Sequence, residues 1–170
     1  DGLFIHPVVG LKKPGDFTGD IIMKAYQLMI EKHYPPNRVV IGGFNSYSRY
    51  AGPREAMFTA LWRKNFGCSH FIMGRDHTGV DNYYSNNDTH KLLDKVGNIG
   101  IELVLFDTIK YSSIQKRYVS TRGLDNNKKG KYFSISGSEA RQMFNEGKQP
   151  PEWFMRKEVS NMILHNMKSD

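Results

Sequence analysis

The sequence predicts an α/β fold built on a parallel sheet. Short apolar, β-branched runs alternate with stretches of helical periodicity, in the order strand, helix, strand, helix, strand, helix, strand, up to Phe106. Several of the runs close on glycine, at Gly10, Gly42 and Gly74, as strands leaving a sheet often do. The chain has 170 residues, 39% of them hydrophobic, which is enough for one domain with a real core.

The elements follow in order. Leu3 to Val9 is apolar and β-branched and reads as a strand ending near Gly10. After the Pro14-Gly15-Asp16 turn, Ile21, Ile22, Ala25, Leu28 and Met29 recur at helical spacing, with Thr18 or Asp16 as cap and Pro35-Pro36 as stop. Arg38 to Phe44 is the second strand. Pro53 suits the first turn of a helix reaching about Phe66, and Gly67 suits its carboxyl end. His70 to Met73 reads as a buried strand running into Gly74. Asp81 to Asn87 is a polar loop, and Asp88 caps a short helix over Thr89–Val96 that Gly97 closes. Ile101 to Phe106 is the fourth strand. Ser112 to Lys131 has no clean period and reads as a long polar loop or small subdomain. Ser136 and Glu139 form a capping box for another helix, and Pro150-Pro151 separates it from a last one over about Arg156–Met167, with Val159, Met162, Ile163 and Asn166 on one face.

Composition narrows the function. A single cysteine, Cys68, excludes an internal disulfide and suits a reducing, cytoplasmic setting. No apolar run approaches a membrane span, and no signal-peptide pattern opens the chain. The first residue is Asp1 rather than methionine, so the expectation is a processed chain or a piece of a longer polypeptide. The formal charge of +7 suits an anionic partner or simply a basic solvated surface. Apart from Arg122, Lys128, Lys129 and Lys131 the positive residues are scattered, which favours a small anion over a long duplex. Nucleic acid and membrane are not expected partners.

Some stretches carry candidate chemistry. Gly74-Arg75-Asp76-His77 stands at the carboxyl end of a parallel strand, where open α/β sheets bind ligands. Gly74 lets a ligand approach the backbone, Arg75 offers a planar fork for phosphate or sulfate, and His77 can donate to an anionic oxygen. Asp76 is able to hold Arg75, a ribose hydroxyl or a metal-bound water. The plainer alternative is a strand-end turn with an Arg–Asp ion pair. Gly52-Pro53-Arg54-Glu55 exposes amides at a helix start, with Arg54 a further basic candidate; alternatively Arg54 and Glu55 merely face water. Ser136, Ser138 and Arg141 make an anion cradle or an ordinary N-cap. Asp107-Thr108-Ile109-Lys110 falls on the same sheet edge as Gly74. His6 precedes Pro7 at a strand end, and His33, His90 and His165 read as surface or packing residues. No zinc spacing, P-loop or G-x-S-x-G elbow is present.

Taken in order, these pieces resemble the ATP sulfurylases (sulfate adenylyltransferases). The resemblance rests on His6-Pro7-Val8-Val9-Gly10 with Lys13-Pro14-Gly15-Asp16, on Ala51-Gly52-Pro53-Arg54-Glu55-Ala56, on Gly74-Arg75-Asp76-His77, on Ile135-Ser136-Gly137-Ser138-Glu139 with Arg141, and on Pro151-Glu152-Trp153-Phe154. It spans Leu3 to Leu164 and implies a nucleotidylyltransferase-like, Rossmann-like sheet. It also implies conversion of ATP and sulfate to adenosine 5′-phosphosulfate and pyrophosphate, with magnesium carried by the nucleotide rather than by the protein. By position, Gly74, Arg75, Asp76, His77 and Ile109 would bind ATP, with Arg75, His77 and Thr108 in the catalytic set and Thr78 offering its amide to sulfate. Thr78 stands where the family usually has alanine, Thr108 where it has methionine, and Ile109 where it has valine, and these departures bear on substrate preference. The family's Q-x-R-N-P-x-H-x-x-H segment, which lies upstream of the His6-Pro7 strand, is not in this sequence. The resemblance therefore implies the carboxyl-terminal part of the catalytic region, a sheet incomplete at its amino-terminal side, and little activity alone. Residues 1–111 would be the partial catalytic domain and residues 112–170 a loop and helical subdomain. The complete enzyme would be a homo-oligomer. The competing readings are an adenylyltransferase with another acceptor and a non-catalytic nucleotide- or anion-binding module.

Overall fold

A computed structural model describes residues 1–74, 88–106, 108–121 and 131–167. The described residues separate into two compact units. One lies within Asp1–Tyr47, Tyr111–Arg117 and Lys129–Asp170, the other within Ser48–Lys110 and Tyr118–Lys128.

In the first unit, β1 (Leu3–Ile5) and β2 (Val39–Ile41) pair in parallel, Leu3 opposite Val39 and Ile5 opposite Ile41. The expected strand to Val9 is shorter because Pro7 cannot donate to a ladder. Pairing resumes only as a bridge between Val8 and Phe44. Between the strands runs α1 (Gly19–His33), and of the two proposed caps it is the Thr18 side chain that accepts from the Ile21 amide. Asp20 in the first turn and Lys32 and His33 in the last suit the helix dipole. Further along the chain, α4 (Gly137–Asn145) starts on the expected Ser136–Glu139 capping box and α5 (Lys157–Met167) follows. Ile21, Phe144, Val159 and Ile163 form the core, with Phe17 edge-on to Phe144 at 5.6 Å between ring centres. Burying each such side chain is worth about 1.5–3 kcal/mol. At the rim of the α1–α5 contact, His33 meets Glu158 at 2.5 Å and Lys24 donates to Asn166 at 2.8 Å.

In the second unit, α2 (Pro53–Asn65) leads to β3 (His70–Met73), then α3 (Asp88–Val96) and β4 (Glu102–Leu105). β3 and β4 are parallel, His70 opposite Glu102 and Met73 opposite Leu105. Asp88 is the first residue of α3 rather than its cap, and Gly97 closes the helix at φ 72°. The expectation of a buried β3 needs correction. Met73 is 1% exposed but Ile72 is 58% exposed. Successive strand residues point to opposite faces, and α2 packs against β3 while Ile72 stays open among the described residues.

Ser112 to Lys131 is not simply a loop. β5 (Ile109–Ser112) and β6 (Arg117–Ser120) flank a turn at Lys116 with φ 53°, and β7 (Tyr132–Phe133) pairs antiparallel with β5. Within the first unit, Trp153 stacks on Tyr111 at 4.9 Å. No helix among the described residues is long and apolar enough to cross a membrane.

Candidate functional site

The ends of β3 and β4 form a rim. A single neighbouring strand and parallel pairing bring both carboxyl ends to one side, and the Phe106 amide donates to the Met73 carbonyl at 3.0 Å. Gly74 therefore emerges beside Phe106. A side chain built at Gly74 would meet nothing within 4 Å among the described residues, so its openness is a property of the surface rather than of crowding. Thr108 and Ile109 follow Phe106 in the chain. The Thr108 carbonyl accepts from the Thr121 amide at 2.8 Å, while Ile109 is 52% exposed. The structure thus brings Phe106, which precedes the 108–109 segment in the chain, against the end of β3. Arg75, Asp76, His77 and Thr78 lie outside the described residues, as do Asp107 and the Arg122, Lys128 and Lys129 cluster.

The amino end of α2 reaches the same rim. α2 packs on β3 and is joined to it by only Phe66 to Ser69, so helix and strand run in opposite directions. The helix start then lies beside the strand's exit. Arg54 is exposed there. Glu55 does not face water. It is 6% exposed, and its carboxylate accepts from the Arg49 amide at 2.8 Å and the Ala51 amide at 3.0 Å. The alternative in which Glu55 faces water is therefore excluded. The available signal was its place three residues after a glycine N-cap, where a glutamate commonly turns back on the preceding chain.

Ser136, Ser138 and Arg141 belong to the first unit. The Glu139 carboxylate already sits on the Ser136 amide at 2.6 Å, and Ser136 Oγ accepts from the Glu139 amide at 3.1 Å. This backbone hydrogen bond holds the Glu139 carboxyl below its ordinary range. Arg141 donates to Ser138 Oγ at 3.1 Å and pairs with Asp16 at 3.3 Å. These are the contacts of an N-cap, and the guanidinium is paired with the Asp16 carboxylate. Nearby in sequence to Asp16, Lys12 donates to the Val8 carbonyl, and burial lowers its pKa while Asp16 works against that shift. His6 stacks on Phe4 at 4.5 Å between ring centres and packs obliquely on Phe44. Among the described residues no group of three or more His, Cys, Asp or Glu is gathered closely enough to hold a metal ion.

The fold defines a class first: an α/β chain with two parallel strand pairs, each connected through a helix. The hexameric APS kinase from Thiobacillus denitrificans superposes with a TM-score of 0.68 over 96% of this chain and 30% of that one, at 21% identity, a likeness of fold. A model of the ATP-sulfurylase family matches residues 1–166. The chain belongs to the ATP-sulfurylase family. It is 41% identical over its whole length to a sulfate adenylyltransferase of Synechococcus elongatus, of which it spans 43%. Over 98% of its length it is 39% identical to a sulfate adenylyltransferase of Cenarchaeum symbiosum, of which it spans 44%. A probable bifunctional SAT/APS kinase of Sorangium cellulosum is 38% identical and 29% covered. The chain thus spans less than half the length of these curated relatives.

Proposed function

We propose that the chain supplies the carboxyl-terminal part of the active site of a sulfate adenylyltransferase, which converts ATP and sulfate to adenosine 5′-phosphosulfate and pyrophosphate in sulfate assimilation or related sulfur metabolism. The observation that carries this is the family match over residues 1–166, with 41% identity along the whole of this chain to a relative bearing that name. The parallel pairing of β3 and β4, whose exits at Met73 and Phe106 precede Gly74 and the 108–109 segment, supports it. The substrates are MgATP and sulfate, with magnesium arriving on the nucleotide, and the setting is the cytoplasm of an oligomeric enzyme. Residues 1–111 form the catalytic portion in this reading.

A sulfate oxygen attacks the α-phosphorus in line, and pyrophosphate leaves. Sulfate is already ionised, so no general base is required. Catalysis then reduces to alignment and to neutralising charge on phosphate oxygens. Gly74 gives the nucleotide backbone access, Arg75 and His77 donate to its phosphates, and Asp76 orients Arg75. Thr78 offers an amide to sulfate, and Thr108 and Ile109 border the base. Arg54 adds positive charge to the rim.

The test is a chimera in which this chain replaces the corresponding segment of the Synechococcus elongatus relative, assayed for pyrophosphate release from ATP with and without sulfate. Sulfate-dependent release is expected, with none from the chain alone. Arg75→Ala and His77→Ala should each lower the rate by about 10²–10³-fold. Wild-type turnover in either variant removes its assigned role. Release without sulfate points to another acceptor, and a folded chimera that binds ATP without turnover points to a non-catalytic module.

A further inference from the structure

We propose that Glu55 is a positioning residue for nucleotide binding: its buried carboxylate holds the 49–52 segment in the shape that forms one wall of the rim beside Gly74. This rests on the reading just given and names a residue that the sequence motifs treat only as part of a helix start.

Glu55 is the third residue of α2. A glutamate there ordinarily returns to the N-cap amide and stops. Glu55 reaches further, one oxygen taking the Ala51 amide and the other the Arg49 amide. The segment it grips is held in an unfavourable conformation. Tyr50 has φ 55°, uncommon for a side chain of that size, and Gly52 has φ 55° with ψ −125°, a combination open essentially to glycine alone. The surroundings reinforce the grip, since Arg49 lies over the Phe58 ring at 4.9 Å from its centre. A buried carboxylate spent on two main-chain amides outside its own helix fixes a loop rather than a helix. Strain of this kind persists only where the surrounding structure imposes it.

The place of the loop gives the shape its use. α2 runs against β3, so the 49–52 segment sits at the strand's carboxyl end, with exposed Arg54 beside it. Without the carboxylate, Arg49 and Ala51 lose their acceptor, Tyr50 relaxes from the left-handed region, and the start of α2 that carries Arg54 shifts relative to the rim. The consequence is weaker binding of ATP with the chemical step largely unchanged.

The experiment uses the chimera. Glu55→Gln keeps the side chain's length and one acceptor oxygen but turns a donor toward the second amide. Expected are a KM for ATP raised about tenfold, kcat within about threefold of wild type, and faster hydrogen exchange at the Arg49 and Ala51 amides. Glu55→Asp keeps the charge but is too short for both amides and should show the same pattern. A folded Glu55→Gln enzyme with wild-type KM overturns the inference alone, as does a variant that melts lower and exchanges faster with both KM and kcat unmoved. An inactive wild-type chimera overturns the proposed function and this inference with it.

Discussion

Gly10→Ala offers a direct measure of how tightly the first unit is built. A Cβ placed on Gly10 would lie 2.2 Å from the Ser46 carbonyl oxygen, 2.8 Å from its carbon and 2.9 Å from its nitrogen. Ordinary contact needs about 3.5 Å, so the backbones must separate by roughly 1 Å. They are tied together nearby, because the Val9 amide donates to the Phe44 carbonyl at 2.9 Å and the Phe44 amide to the Pro7 carbonyl at 2.8 Å. Relief of the clash therefore strains or breaks at least one of these bonds, worth about 1 kcal/mol each, on top of about 1–3 kcal/mol for overpacking. The expected cost is about 2–4 kcal/mol, or a melting temperature lower by roughly 5–15 °C for a chain of this size. Urea and thermal unfolding followed by circular dichroism measure it. Gly15→Ala is the control, since its Cβ would meet nothing within 4 Å and only its φ of 85° is unfavourable. A Gly10→Ala chain within about 0.5 kcal/mol of wild type would refute the close approach of the two backbones.

Other outcomes are as specific. Gly74→Ala should leave stability within about 0.5 kcal/mol, because its Cβ enters open space among the described residues; in the chimera it should raise the KM for ATP, and an unchanged KM would argue against nucleotide lying on that glycine. Ser160→Ala should be neutral or stabilise by about 1 kcal/mol in urea unfolding, since Ser160 Oγ is buried with no hydrogen-bond partner among the described residues. The Glu158 carboxyl is held below its ordinary range, first by its own backbone amide and then by His33. A depressed carboxylate pKa adds stability above the unfolded-state value, near 4.3, and that stability is lost as pH falls through the folded value. Glu158→Gln should accordingly flatten the acid limb of a stability-against-pH curve, and an unaltered limb would count against the pairing.

Much of the fold was legible because its signals are local. Thr18 before Ile21, Ser136 before Glu139, and the stops at Pro35 and Gly97 are hydrogen-bonding and backbone constraints that a few adjacent residues express. The β5–β6 hairpin was not legible. Its turn uses Lys116 at positive φ where asparagine or glycine would announce it, and β7 joins it from a distant part of the chain. Tyr118 and Val119, with Tyr132 and Phe133, were the available hint. The half-exposed β3 escaped notice because an apolar run reports burial on both faces, whereas neighbours decide it. At the rim, the order of elements foretells that β3 and β4 run parallel and leave the sheet at the same end. The reach of Glu55 is not legible, because its bonds to amides four and six residues back depend on the left-handed turn at Tyr50, which an aromatic residue does not advertise.

The sequence contains two tryptophans, and they fall one to each unit. Trp153 lies flat against Tyr111, whereas Trp62 stands on the outer side of α2 between Phe58 and Phe66, 39% exposed. Their fluorescence is therefore an intrinsic pair of reporters, one to each unit. Replacing either by phenylalanine leaves a single emitter on one unit. Coincident melting of the two emitters would mean that the units denature as one cooperative block, and separated curves would give each its own stability.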